Sequence, residues 1–263
     1  MSYLLHIMKP PQGRTHWIQE APIVKLITES KLPSDVVDLG QGVPFYGPPK
    51  EAMLAATAAI QEESGFRYSP DSGFPELRET IARKLASENG VEADPSNNIV
   101  VTAGANQAFV NAVLSITRPG DHILVLSPYY FNHVMAIQLA GCKPIVIDTD
   151  RSYQPIVERI AEKITKRARA VVLVSPDNPT GAVYSRHTIN EIGALCGKNG
   201  LSLISDETYE HFVYDGAEFV SALSLDKDIE HTISLFSFSK SYGMSGYRIG
   251  YAVFPEGIYS EML

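Results

Sequence analysis

Lys240 stands in the segment SFSKSYGMSGYRIGY, where several reactive and anion-binding residue types crowd together. Two hydroxyls precede it at three and one residues (Ser237, Ser239). Gly243 and Gly246 make the following loop pliable, and Arg248 lies eight residues on. A lysine held neutral by its surroundings can form a Schiff base with an aldehyde cofactor. Serine hydroxyls beside a permanently charged guanidinium suit a phosphate dianion. A solvated surface lysine would need none of these neighbours.

Other candidates end short apolar runs. Asp206 closes LSLISD, and a carboxylate at the end of a buried strand must be paired, because stranding it costs about 3–5 kcal/mol. A protonated ring nitrogen would serve, and so would a structural Lys or Arg. Asn178, in SPDNPTG, carries an amide able to donate to a phenolate-type oxygen; the same residues also suit a rigid Asn-Pro turn. Tyr130, in PYYFNH, offers a ring for stacking on a planar group or for plain packing. Gly104 joins NIVVTAG to Ala105-Asn106-Gln107. Small residues at such a junction let backbone N–H groups and the helix dipole receive an anion, and a plain tight turn asks for the same residue.

Strand ends can meet only on a suitable scaffold, and the hydrophobic pattern supplies one. From Lys50 onward, Ala52, Met53, Ala56, Ala59 and Ile60 recur at helical spacing, as do Leu77, Ile81, Ala82 and Leu85, with Pro75 near the start and Gly90 past the end. Then short apolar runs alternate with helices. NIVVTAG, HILVLSP, KPIVIDT, AVVLVSP and LSLISDE read as strands; ANQAFVNAVLSI, HVMAIQLAG, IVERIAEKI and TINEIGALCGKNG read as helices. TISLFSFSK and YRIGYAVFP follow. Continuous Val/Ile/Leu runs suit strands buried on both faces, and the alternation implies an α/β fold with a mostly parallel sheet flanked by helices. No helix separates the last two runs, which predicts an antiparallel or irregular pairing there. Ligands of such sheets collect at the carboxyl ends of the strands, where the candidate residues sit. The first 45 residues are turn-rich and weakly periodic, and read as an arm or a piece of a second lobe.

Composition narrows the partners. With 30 acidic against 22 basic side chains the net charge is −8, which argues against a wholesale electrostatic grip on nucleic acid or an anionic membrane. The start lacks a secretory pattern, and no apolar run approaches the length of a membrane span. Cys142 and Cys196 make neither a disulfide framework nor a metal cluster. These features predict a cytoplasmic protein with no metal, no nucleic-acid partner and no membrane partner.

SPDNPTG, SDETYEHF and SFSKSYGMSGYRIGY, in that order, resemble the class I/II aminotransferases, which are fold-type-I pyridoxal-phosphate-dependent enzymes. The resemblance runs from about Val37 to the end of the chain. It implies the large domain of that fold over residues 46–263, an N-terminal arm or small-lobe segment over 1–45, and a small domain largely missing. The implied cofactor is pyridoxal 5'-phosphate. Lys240 is implied as its Schiff-base lysine and proton shuttle, and Asp206 as the partner of its ring nitrogen. Asn178 and Tyr209 would hydrogen-bond its phenolic oxygen, and Tyr130 would stack on its face. Gly104, Ala105, Asn106, Ser237, Ser239 and Arg248 would hold its phosphate. Tyr68, in FRYSPDSGFPELR, resembles the tyrosine that reaches the partner's cofactor across a homodimer, and Gly42, in GQGVP, the glycine whose backbone touches the substrate carboxylate. Ser127-Pro128 and Asn178-Pro179 occupy places where relatives often have cis peptides.

The implied reaction is transfer of an amino group from an amino acid to a 2-oxo acid in a ping-pong cycle. After Arg248 the sequence has no Arg, Lys or His, so the C-terminal-lobe arginine that pairs with the substrate's α-carboxylate in such enzymes has no counterpart. The sequence therefore reads as a fragment of a longer polypeptide, or else as a truncated product with impaired catalysis. Two other uses of the same site are a C–S β-lyase or related elimination, and a cofactor-binding regulatory module. A basic recognition helix for the latter is lacking in the first 45 residues. A non-enzymatic nucleotide-binding protein would call for GxGxxG or GxxxxGK[ST], and neither pattern occurs.

Overall fold

The computed structural model describes residues 13–29, 35–37, 39–40 and 42–263. Seven strands form one sheet: β1 (Ile99–Thr102), β2 (His122–Ser127), β3 (Lys143–Asp148), β4 (Ala168–Val174), β5 (Ser202–Asp206), β6 (Thr232–Ser237) and β7 (Gly250–Val253), in the order β1-β7-β6-β5-β4-β2-β3. Every pairing from β6 to β3 is parallel. β7 runs antiparallel to both β6 and β1, as the missing helix between the last two apolar runs predicts.

Period-two alternation divides each central strand between two cores. On β2, Ile123 and Val125 face one side and Leu124 and Leu126 the other; on β4, Ala170 and Val172 oppose Val171 and Leu173. The first side is covered by α4 (Ala105–Ile116) and α5 (Phe131–Leu139), which bury Ala108, Phe109, Ala112, Val113, Val134 and Ile137. The second is covered by α6 (Val157–Lys163) and α7 (Arg186–Asn199), through Ile160, Ile189, Ile192 and Cys196. Ser185 caps α7, its hydroxyl accepting from the Thr188 N–H at 3.1 Å. A third cluster joins α3 (Pro75–Lys84) to β1, β6 and β7 through Ile81, Leu85, Ile99, Phe236 and Tyr251. The short α8 (Tyr259–Met262) lies along α4, where Asn111 donates to the Met262 carbonyl at 2.9 Å.

One expectation needs correction, and two others gain detail. The run KPIVIDT is not buried on both faces: β3 is an edge strand, and only Ile147 along it is buried. The turn-rich first 45 residues contain a helix, α1 (Pro22–Glu29), within the described part. The helix α2 (Lys50–Gln61) forms where the apolar spacing places it, yet buries none of its residues. No helix among the described residues is long and apolar enough to cross a membrane.

Candidate active site

Every candidate but Tyr68, Gly42 and Arg248 lies at or just beyond the carboxyl end of a strand; Arg248 precedes the antiparallel β7, which starts at the same rim. β5 ends in Asp206, β6 in Ser237, and the segments after β1, β2 and β4 bring Gly104, Tyr130 and Asn178 to the same rim. Peptide bonds Ser127-Pro128 and Asn178-Pro179 are cis, and so is Ser175-Pro176.

Asp206 is buried and has a partner the sequence reading missed. His133 Nε2 lies 3.0 Å from Asp206 Oδ2, and the Thr208 N–H donates to Oδ1 at 3.1 Å. Burial pushes the carboxyl up, but the His133 contact and the Thr208 bonds outweigh it and hold Asp206 below its ordinary value. Asp206 therefore stays ionised in an apolar setting, paired with an imidazole where a structural Lys or Arg had been the plain alternative. His133 is itself buried and stacked on Phe109, ring centroids 3.9 Å apart. Its signal was local: three residues after Tyr130, on the first turn of α5, it shares a helix face with the candidate tyrosine. The Tyr130 ring meets it edge-on at 5.1 Å.

The lysine end is built from β6 and the loop beyond it. Lys240 Nζ lies 5.9 Å from the centroid of the Tyr209 ring and donates to the Gly42 carbonyl at 2.5 Å. Burial, and then the charge of Arg248, lower its pKa. This raises the share of neutral, nucleophilic amine. The Tyr209 hydroxyl accepts from Asn178 Nδ2 at 3.3 Å. Burial and the Asp206 charge push the Tyr209 phenol up to about 12, so it remains a donor at neutral pH. Gly42 presents its carbonyl to the amine; a substrate carboxylate would need its N–H. The segment is held there by Tyr46, whose hydroxyl donates to the Lys240 carbonyl at 3.0 Å. Gly243, at φ +62°, lets the lysine loop pass against the Gly47 backbone, where a Cβ would come within 2.7 Å.

The opposite rim is an anion cradle. Arg248 Nη1 donates to the Ser239 hydroxyl at 3.3 Å and to the Ser245 carbonyl at 2.8 Å, while the Ser239 N–H donates to Ser237 Oγ at 3.0 Å. Arg248 itself is left-handed (φ +54°), a conformation worth roughly 1–3 kcal/mol of strain that the surroundings must hold. Gly104 (φ +78°) precedes α4, and a Cβ there would collide with Arg248 Nη2. The guanidinium thus lies over the start of α4, whose first amides, those of Ala105 and Asn106 included, have no acceptor inside the helix. The Tyr130 hydroxyl accepts from Asn132 Nδ2 at 2.7 Å. A guanidinium, two serines and a helix N-terminus around a glycine fit a phosphate group.

Tyr68 alone stands apart. It is fully exposed among the described residues.

The comparisons with known proteins bear on this geometry. The sequence profile of the family described as Aminotransferase class I and II matches residues 34–263. The chain belongs to the class I and II aminotransferases. It is 35% identical over 253 residues to an aspartate aminotransferase of Pyrococcus abyssi, covering 95% of this chain and 64% of that one. It is 40% identical over 225 residues to a probable aspartate/prephenate aminotransferase of Aquifex aeolicus, covering 84% and 57%. Among solved structures, aspartate aminotransferase from Thermus thermophilus with maleate superposes with a TM-score of 0.89 at 33% identity, over 97% of this chain and 67% of that one. The aromatic aminotransferase from Pyrococcus horikoshii gives 0.82 at 37%, over 91% and 64%. The chain thus spans about 64% of the length of its Pyrococcus abyssi relative. Members of this family use pyridoxal phosphate, and the cradle, the ionised Asp206 and the depressed Lys240 fit its phosphate, its ring nitrogen and its aldehyde.

Proposed function

We propose that the whole protein transfers an amino group from an amino acid to a 2-oxo acid, with pyridoxal phosphate bound at this site. The observation that carries the reading is that neighbouring parallel strands end in Asp206, a buried carboxylate held by His133, and in the loop of Lys240, a partly buried amine 5.9 Å from the Tyr209 ring. Bound pyridoxal phosphate supplies an electron sink for the bonds around the amino acid's α-carbon. The chain does the rest. Arg248, Ser237, Ser239 and the first amides of α4 bind the phosphate. Asp206, steadied by His133, keeps the ring nitrogen protonated. Asn178 and Tyr209 donate to the phenolic oxygen, and Tyr130 packs on the ring. Lys240 Nζ would be the amine that accepts and carries the α-proton.

The relatives named above, aspartate, aspartate/prephenate and aromatic aminotransferases, support amino transfer over elimination. Residues 1–45 serve in this reading as the arm, and 46–263 as the large domain. A second copy of the chain is the partner that would receive Tyr68, in line with the exposed faces of α2 and its neighbours. Two buried free thiols suit a cytoplasmic protein.

The test is chemical. Pyridoxal phosphate is added, borohydride reduces any imine, and mass spectrometry locates the adduct. The expected site is Lys240, and Lys240→Ala should carry no adduct and show no turnover while keeping some cofactor affinity through Arg248. An adduct on another lysine would sink the assignment.

A further inference from the structure

A charge cluster lies beside the site, on residues to which no cofactor contact has been assigned. Lys84, at the end of α3, reaches across to the turn that follows β5. Its Nζ donates to Glu210 Oε2 at 2.5 Å and to Asn89 Oδ1 at 2.8 Å, and Asn89 Nδ2 donates to the same Glu210 oxygen at 3.0 Å. The two charged side chains are only 13% and 10% exposed. Lys84 also sits over the Phe236 ring of β6, 5.0 Å from its centroid. On the wetter side, His211 Nε2 lies 3.6 Å from Glu210 Oε1 and Glu88 lies 3.9 Å from Lys84 Nζ.

Glu210 adjoins Tyr209. Its N–H donates to the Glu207 carbonyl at 3.0 Å, and the Phe212 N–H donates to the Tyr209 carbonyl at 2.8 Å, so Tyr209 sits in a turn pinned on both sides. An ion pair so little exposed is poor evidence for net stability, because desolvating both charges offsets their attraction. Its geometric effect is firm: removing the cation strands a carboxylate, and the turn must open to hydrate it. Opening the turn would displace Tyr209, whose hydroxyl accepts from Asn178 and whose ring lies 5.9 Å from Lys240 Nζ.

We propose that Lys84 is a positioning residue for Tyr209, acting through its buried bond to Glu210 to fix the turn from which that hydroxyl reaches the site. Tyr209's task at the phenolic oxygen rests on the function proposed above; its placement by Lys84 does not.

Hydrogen exchange on the chain without cofactor tests the placement. In Lys84→Met the Phe212 amide should exchange about tenfold faster or more, as expected of a local opening that no longer costs an ion pair. Lys84→Arg should restore protection, and amides of β4 should be unchanged in both. Should Lys84→Met not fold, Glu210→Gln removes the ionic part of the same bond while leaving Lys84 an amide acceptor and its bond to Asn89, and should show a smaller rise at the same amide. Unchanged exchange at Phe212, or a rise spread evenly over the sheet, overturns the proposal. With pyridoxal phosphate bound, the pH midpoint of its absorbance should shift in Lys84→Met in the direction that Tyr209→Phe shifts it, and the double variant should move no further than Tyr209→Phe alone. Additive shifts overturn the proposal even if borohydride still fixes the cofactor on Lys240. If Lys240 takes no adduct, the proposed function fails, while the exchange result still decides Lys84.

Discussion

Two helices of twelve residues, α2 and α4, began with similar credentials. Both have apolar residues at helical spacing, and both form where that spacing places them. α4 buries Ala108, Phe109, Ala112 and Val113 against the sheet, whereas α2 buries nothing and leaves Leu54 and Ile60 exposed. The neighbours of α2 behave alike: Phe45, Phe66 and Tyr68 are also open. The contrast separates two questions that periodicity merges. A stripe of apolar residues says that a helix will form against something; only the rest of the chain decides whether that something is its own sheet. Around α4 the strands β1, β6 and β7 supply it. Around α2 nothing described does, which is what a surface meant for a second copy of the chain would look like.

The largest expected effect lies on the α4 side. Phe109 is fully buried, and its ring stacks on His133, the partner of Asp206. Phe109→Ala should cost about 3–5 kcal/mol of unfolding free energy, through lost transfer energy and the cavity left behind. Urea titration followed by circular dichroism measures it. A loss under 1 kcal/mol would mean that α4 is not seated on the sheet as described, and the contrast with α2 would lapse.

Next in size is a titration. Glu207, one residue after Asp206, is buried, with Oε1 accepting from the Ser234 hydroxyl at 2.7 Å and the Ala222 N–H at 3.0 Å. Burial lifts its pKa from the ordinary 4.5 to about 7. Below 4.5 the carboxyl is protonated whether the chain is folded or not, so it contributes no pH dependence. Between 4.5 and about 7 the unfolded chain releases a proton that the folded one keeps, and stability falls as pH rises, by roughly 3 kcal/mol in all. Glu207→Gln keeps an acceptor and has no charge to bury, so it should remove this decline and be the more stable form at pH 8. Parallel urea titrations at pH 5 and pH 8 decide it, and an identical decline in both proteins would show that another group titrates.

Much of this was legible in the residue order, and the reasons for the exceptions are physical. Strands such as AVVLV declare themselves because both faces are buried, and the antiparallel β7 follows from the missing crossover helix. Lys240, Arg248 and their serines stand close together in sequence, so their chemistry could be read from spacing alone. His133 and Lys84 could not. Each acts through a partner more than 70 residues away, Asp206 and Glu210; the spacing of His133 from Tyr130 places it near the rim without naming its partner, and nothing local marks a helical lysine for a buried pair. β3 misled for a related reason. Its composition suits burial on both faces, but its place at the sheet edge is settled by pairing order, which no short window contains.

The smallest effect belongs to α2, and it completes the comparison. Leu54 is 61% exposed, so Leu54→Ala removes little that the folded single chain had buried. At dilutions where the chain is monomeric, its unfolding free energy should change by no more than about 0.5 kcal/mol, the usual range for surface substitutions. The same substitution should weaken self-association in sedimentation equilibrium if α2 faces a second copy, because the methyl groups lost would then have been covered by the partner. The two measurements answer separately. A large loss in the monomer would place Leu54 in this chain's own core and make α2 a second α4. A small loss with association unchanged would leave α2 an ordinary amphipathic surface and remove the support it gives to the paired site that Tyr68 calls for.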